Sequence, residues 1–124
     1  RGDDIPYYTV LDGKETDLVE IPSKWELDDY VAQAYSVYPA EPAGLDRIRC
    51  YRNVQDNDLR EFRGYYDMGL CIAFLMHPQI SGAPGRNLVL EEVLKEVTSH
   101  KDVWVATGSE VAEYWRKAHP RKED

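Results

Sequence analysis

The chain has 124 residues, and a chain of this length can bury a core without a disulfide or a metal. Its 43% hydrophobic and 31% charged residues exclude a disordered or fibrous protein, and no apolar run approaches the roughly 18 residues that span a membrane. The whole net charge of −8 lies in residues 1–46, so the sequence offers no basic stripe for nucleic acid.

The first third of the chain predicts short strands joined by irregular segments. Residues 5–10 and 18–21 have the composition of strands, and Pro22 ends the second one. Residues 25–30 predict either the start of a short helix or a loop, and residues 35–42 predict a connection.

The second half predicts helices that alternate with apolar strands. A helix over residues 53–68 ends at Gly69, which stands where a cap glycine belongs. Residues 70–76 are apolar throughout, which is typical of a strand buried on both faces of a parallel sheet. Glycines and a proline predict a loop over residues 79–85.

The same alternation continues to the end of the chain. Apolar residues at helical spacing predict a helix over residues 86–100, and residues 103–106 predict another short buried strand. Thr107 and Glu110 form a capping box that begins the last helix. The order over residues 53–118 predicts an α/β fold with right-handed crossovers around a parallel sheet. Because about four strands would leave open edges, we expect the chain to be part of a larger barrel or sheet.

His77 is the most informative position, since it follows the apolar strand directly and precedes a loop. Ligands and catalytic residues of α/β proteins gather at the carboxyl ends of strands, where a histidine can transfer protons near neutral pH. The alternative is a histidine that caps the strand end or bonds to backbone. Arg86 begins the helix that follows the same loop, and it is a candidate for the same site at the end of the strand.

Two acidic segments are candidates for a site, and each has a simpler alternative. Asp28 and Asp29 are adjacent, so we expect at most one of the two side chains to enter a site, while the pair also suits an ordinary helix start. Asp4 and Tyr7 flank a proline-fixed turn, which would form either a pocket wall or a solvated terminus.

The motifs that the sequence lacks are informative as well. It holds no His-x-x-x-His or His-Glu-x-x-His pair and no cysteine cluster, so a complete metal site is not expected within the chain. Nucleophile-elbow, P-loop and dinucleotide-binding motifs are absent too. Cys50 and Cys71 show neither metal nor disulfide spacing, which fits a reducing compartment.

Three stretches of the chain resemble the polysaccharide deacetylase (NodB-homology) family. They are residues 2–7, 18–29 and 66–86, and the last is the most specific because the strand, His-Pro and a Ser-Gly-x-Pro-x-Arg loop follow in order. Residues 103–112 extend the similarity. The chain is most similar to the branch that contains allantoinase-like enzymes and an intracellular peptidoglycan-deacetylase homologue, and it matches the C-terminal half of the family's domain.

The resemblance implies an α/β fold, the C-terminal half of a distorted (β/α)7 deacetylase-type barrel with mostly parallel strands and outer helices. This half-barrel would span residues 1–118, and a frayed polar tail would follow at residues 119–124. The resemblance implies hydrolysis of a carbon–nitrogen amide bond with a divalent metal, zinc in the first place. The metal ligands and the aspartate base would lie in an N-terminal half outside this chain, which would be its partner. We also expect a cytoplasmic homo-oligomer that binds neither nucleic acid nor a membrane.

The resemblance also implies roles for residues of this chain. His77 matches the histidine that acts as general acid to the leaving amine. Asp29 matches the aspartate that orients an arginine or the base, with Asp28 as its neighbour. The predicted catalytic residues are therefore His77 and Asp29. The predicted substrate-binding residues are Asp4, Tyr7, Trp25, Asp28 and Arg86.

Three positions depart from the family's pattern. Tyr30 stands where tryptophan is common, and Ala83 replaces a common arginine. Asp4 occupies a place where deacetylases of sugar polymers carry arginine, which favours a small amide, a ureide or another acylated amine. We therefore predict part of a metal-dependent amidohydrolase that supplies the general acid and pocket walls. The alternative is a non-catalytic fragment of this fold that acts as a binding or assembly module, and open sheet edges disfavour a free-standing small binding domain.

Overall fold

The computed structural model describes residues 3–34 and 49–121, and the connection predicted over residues 35–42 lies outside them. Two strands come first and helices follow. The strands are β1 (Tyr7–Leu11) and β2 (Lys14–Glu20), and a 3-10 turn spans Trp25–Leu27. The helices are α1 (Asp29–Gln33), α2 (Tyr51–Met68), α3 (Pro78–Ser81), α4 (Pro84–Ser99) and α5 (Gly108–Ala118).

The strands β1 and β2 form an antiparallel hairpin, close to the two positions where the sequence predicts strands. Asp12 and Gly13 connect them, with positive φ angles of 51° and 79°. Such angles suit a tight two-residue hairpin turn, and glycine adopts them without the steric cost of a side chain. α5 packs against β2, where the Arg116 side chain donates to the Asp17 carbonyl at 3.3 Å.

The mostly parallel sheet predicted from the sequence is not found within the described residues. Residues 70–76 form one parallel bridge, between Leu75 and Asp28, and the Cys71 amide donates to the Asp4 carbonyl at 3.0 Å. Residues 103–106 form no bridge to any described residue, and Val105 is 71% exposed. The two predicted buried strands are thus not formed within the described residues, because an apolar run becomes a buried strand only where other strands and helices cover it.

The core lies between α1, α2 and α4. Ala32, Val54 and Val89 form one buried cluster that joins the three helices. Phe62 on α2 and Val93 on α4 are buried as well. Each of the two long helices thus covers the other with one apolar face, which is where an amphipathic helix gains most of its stability.

The helices predicted from the second half are present with shifted ends. α2 starts at Tyr51, and Gly69 ends it with a left-handed φ of 68°, as a cap glycine does. α4 starts at Pro84, inside the loop predicted over residues 79–85, and α3 occupies the beginning of that loop. The capping box at Thr107 begins α5 as predicted. Of the helices in the described ranges, none has both the length and the apolar character that crossing a bilayer requires.

The described chain ends against the hairpin. The Tyr8 hydroxyl donates to the His119 carbonyl at 2.9 Å, and the Arg121 side chain donates to the Glu15 carbonyl at 2.7 Å. The sequence predicts a frayed tail from residue 119 onward. His119 and Arg121 of this tail thus have contacts of their own, and its last three residues lie outside the described chain.

Candidate functional site

The candidate site begins at the bridge between residues 28 and 75. The Asp29 amide donates to the Leu75 carbonyl at 3.1 Å, and the Leu75 amide donates to the Leu27 carbonyl at 3.0 Å. Asp29 is the first residue of α1, and His77 directly precedes α3. Because the bridge is parallel, both segments leave it in the same direction, and two side chains that are 48 residues apart in the sequence meet.

Asp29 and His77 are joined by several hydrogen bonds. His77 Nδ1 lies 2.6 Å from Asp29 Oδ1, and the His77 amide donates to the two carboxylate oxygens at 2.9 and 3.1 Å. The Ser81 hydroxyl donates to Asp29 Oδ2 at 2.5 Å. The Asp29 side chain is 2% exposed and the His77 side chain 32% exposed. A buried carboxylate with donors on both oxygens thus holds an imidazole that reaches the surface.

The ionisation of Asp29 determines where the protons lie. Burial raises the pKa of the Asp29 carboxyl, but hydrogen bonds from Ser81 and from the His77 amide and ring outweigh burial and hold that pKa below its ordinary value. An ionised carboxylate only accepts hydrogen bonds, so Nδ1 carries the proton at the 2.6 Å contact. Nε2 is then the His77 nitrogen that takes up or releases a proton.

Asp28 and Tyr30 complete the surroundings of the imidazole. The Asp28 carboxylate accepts from the Tyr30 amide at 2.8 Å and thereby caps α1. Asp28 Oδ1 lies 3.7 Å from His77 Nδ1, which is beyond a hydrogen bond but close enough for charge to matter. The ring centroids of Tyr30 and His77 are 5.5 Å apart. Asp28 therefore combines the role of a helix cap with that of a second negative charge beside His77.

Among the described residues, one group has the spacing of metal ligands, namely Asp28, Asp29 and His77, whose ligand atoms lie within 4.8 Å of one another. Its hydrogen bonds do not fit a divalent ion. Nδ1 and Oδ1 are 2.6 Å apart, whereas two tetrahedral ligands at about 2.1 Å from zinc are roughly 3.4 Å apart. The remaining Asp29 oxygen accepts from an amide and a hydroxyl. The group thus holds a hydrogen-bonded histidine instead of a metal.

Asp4 and Tyr7, two predicted pocket-wall residues, have partners away from His77. The Asp4 carboxylate lies 2.8 Å from the Lys24 ammonium and accepts from the Tyr65 hydroxyl at 2.9 Å. The bonds to Lys24 and Tyr65 hold the pKa of Asp4 below its ordinary value. A hydrogen bond to Glu20 raises the pKa of Tyr7. Both residues belong to the segment around the hairpin and not to the aspartate–histidine group.

Arg86 and Trp25 lie on elements that flank the site. The Arg86 guanidinium donates to the Ile80 carbonyl at 3.5 Å, which ties the start of α4 to α3. Trp25 stands in the 3-10 turn just before the two aspartates and is 56% exposed. Of the predicted site residues, the structure therefore brings together the three in the aspartate–histidine group, and it gives Asp4, Tyr7 and Arg86 other contacts.

Ser81 is a site residue to which the sequence analysis assigns no role. It lies four residues after His77, and its amide donates to the His77 carbonyl at 2.9 Å, closing the single turn of α3. Pro78 occupies the first position of this helix, where proline is favoured. The spacing His-Pro-x-x-Ser is the feature of the sequence that could have predicted a hydroxyl next to the histidine.

Asp58 is an unexpected acidic residue on the buried face of α2, four residues after Val54 and four before Phe62. Burial raises the pKa of its carboxyl, a hydrogen bond from Asn57 opposes this, and the charge of Asp29 adds to it. Asp58 and Asp29 both line a cavity of about 10 Å³, close to the smallest volume that holds a water. The sequence indicates the burial of Asp58 by its spacing of four residues from each of two core residues, Val54 and Phe62.

Comparison with known proteins supports one resemblance. No family model matches the chain. A Helicobacter pylori protein named peptidoglycan deacetylase is 28% identical over 120 residues, 91% of this chain and 38% of that protein. A crystal structure described as "putative polysaccharide deacetylase from Mycobacterium smegmatis" is 33% identical, with a TM-score of 0.76 over 98% of this chain and 41% of that one. The chain resembles polysaccharide deacetylases.

The deacetylase resemblance extends to a further solved fold. The structure of Puue allantoinase has a TM-score of 0.76 over 97% of this chain and 38% of its own, at 20% identity, which is a likeness of fold alone. The resemblance predicted from the sequence is thereby confirmed. The chain spans 38% of the length of the curated deacetylase from Helicobacter pylori, so the activity of a whole deacetylase goes beyond this chain.

Proposed function

We propose that this chain is the part of a deacetylase-like amidohydrolase that supplies the general acid for cleaving non-peptide carbon–nitrogen bonds. The observation that carries the proposal is the 2.6 Å contact between the buried Asp29 carboxylate and the partly exposed His77 ring. A buried carboxylate on Nδ1 orients an imidazole and compensates the positive charge that the ring carries as an acid. The deacetylase names of the relatives support the same class of reaction.

In the proposed reaction, water adds to the carbonyl carbon of an amide, and the bond from that carbon to the amine nitrogen breaks. A base outside the described residues takes a proton from the attacking water, and His77 Nε2 donates its proton to the leaving nitrogen. The products are a carboxylic acid and a free amine. Asp29 stays ionised throughout and holds the ring, and Asp28 adds negative charge 3.7 Å from Nδ1.

We propose that the base and a divalent metal, zinc in the first place, belong to a part of the protein outside this chain. The metal would polarise the amide carbonyl when bound. Two observations support this division: the described residues do not fit a metal, and the chain spans 38% of its curated deacetylase relative. The same part would pair with residues 70–76 and complete a (β/α) barrel, since this segment is apolar and forms one parallel bridge.

The proposed substrate is an acylated amine, either an N-acetyl amino sugar or a small amide or ureide. The name of the Helicobacter pylori relative supports the amino sugar. Asp4 supports the smaller substrate, because it carries a negative charge, bonded to Lys24 and Tyr65, where deacetylases of sugar polymers have arginine. Both cysteines are free thiols, which supports a reducing compartment such as the cytoplasm.

His77→Ala in the intact protein tests this proposal. We expect kcat for amide hydrolysis to fall by roughly 10²-fold or more, because a general acid contributes about that much to the rate. The measurement is amine release from N-acetylglucosamine oligomers and from a small amide, with circular dichroism to confirm that the variant is folded.

His119→Ala is the matched control, since His119 stacks on Trp115 at 4.0 Å, at the end of α5. Its kcat should equal that of the parent protein. If both histidine variants keep full activity, His77 has no part in the mechanism. If the intact protein releases no amine from either substrate class, the non-catalytic binding or assembly module becomes the better description.

A further inference from the structure

We propose that Ser81 is a positioning residue, whose hydroxyl holds the Asp29 carboxylate in the orientation in which Oδ1 receives the His77 Nδ1 proton. The inference rests on the proposed function, since it concerns the histidine taken there as the general acid. Ser81 touches neither substrate nor the reacting atoms in this account and acts only through Asp29. The sequence places it in a loop, and no role follows from that placement.

The backbone around Ser81 fixes the position of the hydroxyl. The one-turn helix α3 starts at Pro78 and closes with the bond from the Ser81 amide to the His77 carbonyl at 2.9 Å. The residue is 5% exposed, so the side chain has no solvent to turn to. At Gly82, a side chain would collide with the Pro78 carbonyl, so the chain can leave the turn in this way only with glycine. The helical turn before Ser81 and the glycine after it therefore fix its position.

Proton counting shows where the Ser81 hydroxyl points. A hydroxyl has a single proton to donate. Two acceptors lie within reach, Asp29 Oδ2 at 2.5 Å and Met76 Sδ at 3.4 Å. A bond to an ionised carboxylate is roughly twice as strong as one between neutral groups, and a thioether sulfur is a weak acceptor. The proton therefore goes to Asp29, and Met76 only packs against the oxygen.

The division of donors over the carboxylate shows what Ser81 adds. Oδ1 accepts a hydrogen bond from the His77 ring nitrogen at 2.6 Å, and the His77 amide donates to both oxygens. Within the described residues, Ser81 is the side-chain donor to Oδ2. Without it, the carboxylate could rotate about its Cβ–Cγ bond and exchange its oxygens. Ser81 is also the largest of the contacts that hold the pKa of Asp29 down against burial.

The charged groups around Asp29 come from several elements. In the described residues they are Asp28 and His77 in the site itself and Asp58 on α2. Glu26 and Arg49 line the same small cavity as Asp29. Substitution of Ser81 leaves all of these groups in place. A change in the pH profile after that substitution therefore reports the missing hydroxyl.

The test compares Ser81→Ala and Ser81→Thr in the intact protein. For Ser81→Ala we expect kcat to fall by roughly ten- to hundredfold, which corresponds to the 1.5–3 kcal/mol of a hydrogen bond to a charged group. The acid limb of the kcat profile should move to higher pH, because Asp29 is then protonated more readily. The low-field proton resonance of His77 Nδ1–H should broaden or shift. Ser81→Thr keeps the hydroxyl and should restore both signals.

Ser109→Ala is the control, since Ser109 is exposed on α5, and it should change none of these readouts. A Ser81→Ala protein with lower stability but an unchanged resonance and pH profile would make Ser81 a structural residue and overturn the inference. The resonance is read without substrate. If it responds to Ser81→Ala while His77→Ala keeps full activity, the positioning role stands and the proposed function fails.

Discussion

The surroundings of Asp29 and the segment at residues 103–106 differ in how completely this chain supplies their contacts. Asp29 is buried, and donors from His77 and Ser81 reach both of its oxygens. Residues 103–106 form no bridge within the described chain, and Trp104 and Val105 are 55% and 71% exposed. The described residues supply every contact of the first region that orients the carboxylate, and they leave much of the second region exposed.

This difference separates two tasks of the chain. A buried carboxylate without donors would be costly, so the contacts that orient His77 must come from nearby segments. Exposed apolar residues cost far less, so a chain can carry them until other protein covers them. The orientation of the histidine is therefore supplied by the described residues, and residues 103–106 keep apolar side chains that the described residues leave exposed.

Asp29→Asn should have the largest effect on stability. The amide nitrogen of asparagine would face donors instead of accepting from them, which leaves buried groups of Ser81 or His77 without a partner. We expect a loss of about 2 kcal/mol or more in the free energy of unfolding of the intact protein, measured in urea at neutral pH. Asp28→Asn is the control, because asparagine caps a helix as well as aspartate does. Equal losses in both variants would show that the hydrogen bonds of Asp29 are not special.

Val105→Lys should have an intermediate effect, and it tests whether residues 103–106 are covered in the intact protein. If the remaining protein covers residues 103–106, the substitution should lower the free energy of unfolding by about 1–2 kcal/mol, because apolar burial is lost and a charge is desolvated. Met68→Lys is matched in exposure, at 73% against 71%, and lies at the end of α2. We expect the free energy of unfolding of Met68→Lys to stay within about 0.5 kcal/mol of that of the parent protein. A neutral Val105→Lys would mean that this segment faces solvent in the intact protein.

Asp58→Asn should have a smaller effect with a characteristic pH dependence. The pKa of Asp58 is raised from its ordinary value of 3.8, so the folded state prefers its neutral form and loses stability as pH rises from that value through the raised pKa. Asp58→Asn removes this loss, and the variant should be more stable at neutral pH by about 1.4 kcal/mol for each unit of the elevation.

Asp29 contributes in the opposite sense within the same experiment. Its pKa is lowered from 3.8, so its stabilisation is present above that pH and disappears as pH falls through the lowered value. Both proteins should therefore lose stability in acid, and only the parent should also lose it on the way up to neutral pH. Parallel stability curves for Asp58→Asn and the parent would contradict a raised pKa at Asp58.

The features that the sequence predicts well depend on near neighbours. The extents of α2 and α4, the Gly69 cap and the capping box at Thr107 all follow from residues within one or two turns. The position of His77 after an apolar run is of the same kind. Its meeting with Asp29 is implied by the resemblance alone, and the structure attaches Asp29 to His77 where the resemblance pointed to an arginine or the base.

The features that the sequence predicts poorly depend on distant partners or on very short elements. Residues 70–76 and 103–106 have strand composition, but pairing requires strands that the described chain does not supply. α3 has a single turn, too short for an apolar period, so the sequence predicts a loop at Ser81. Asp58 has the charge of an exposed residue, and only the cavity that it shares with Asp29 and Ala32 shows that it is buried.

The turn at Asp12 and Gly13 has a consequence for the order in which the chain folds. A hairpin closed by a tight two-residue turn forms within about 1–10 μs, because its partners are adjacent in sequence. Asp29 and His77 meet only when a 48-residue loop closes, at an entropic cost of roughly 3 kcal/mol. The hairpin is therefore expected to form before the aspartate–histidine contact. The low-field proton of His77 would then appear after the hairpin during refolding.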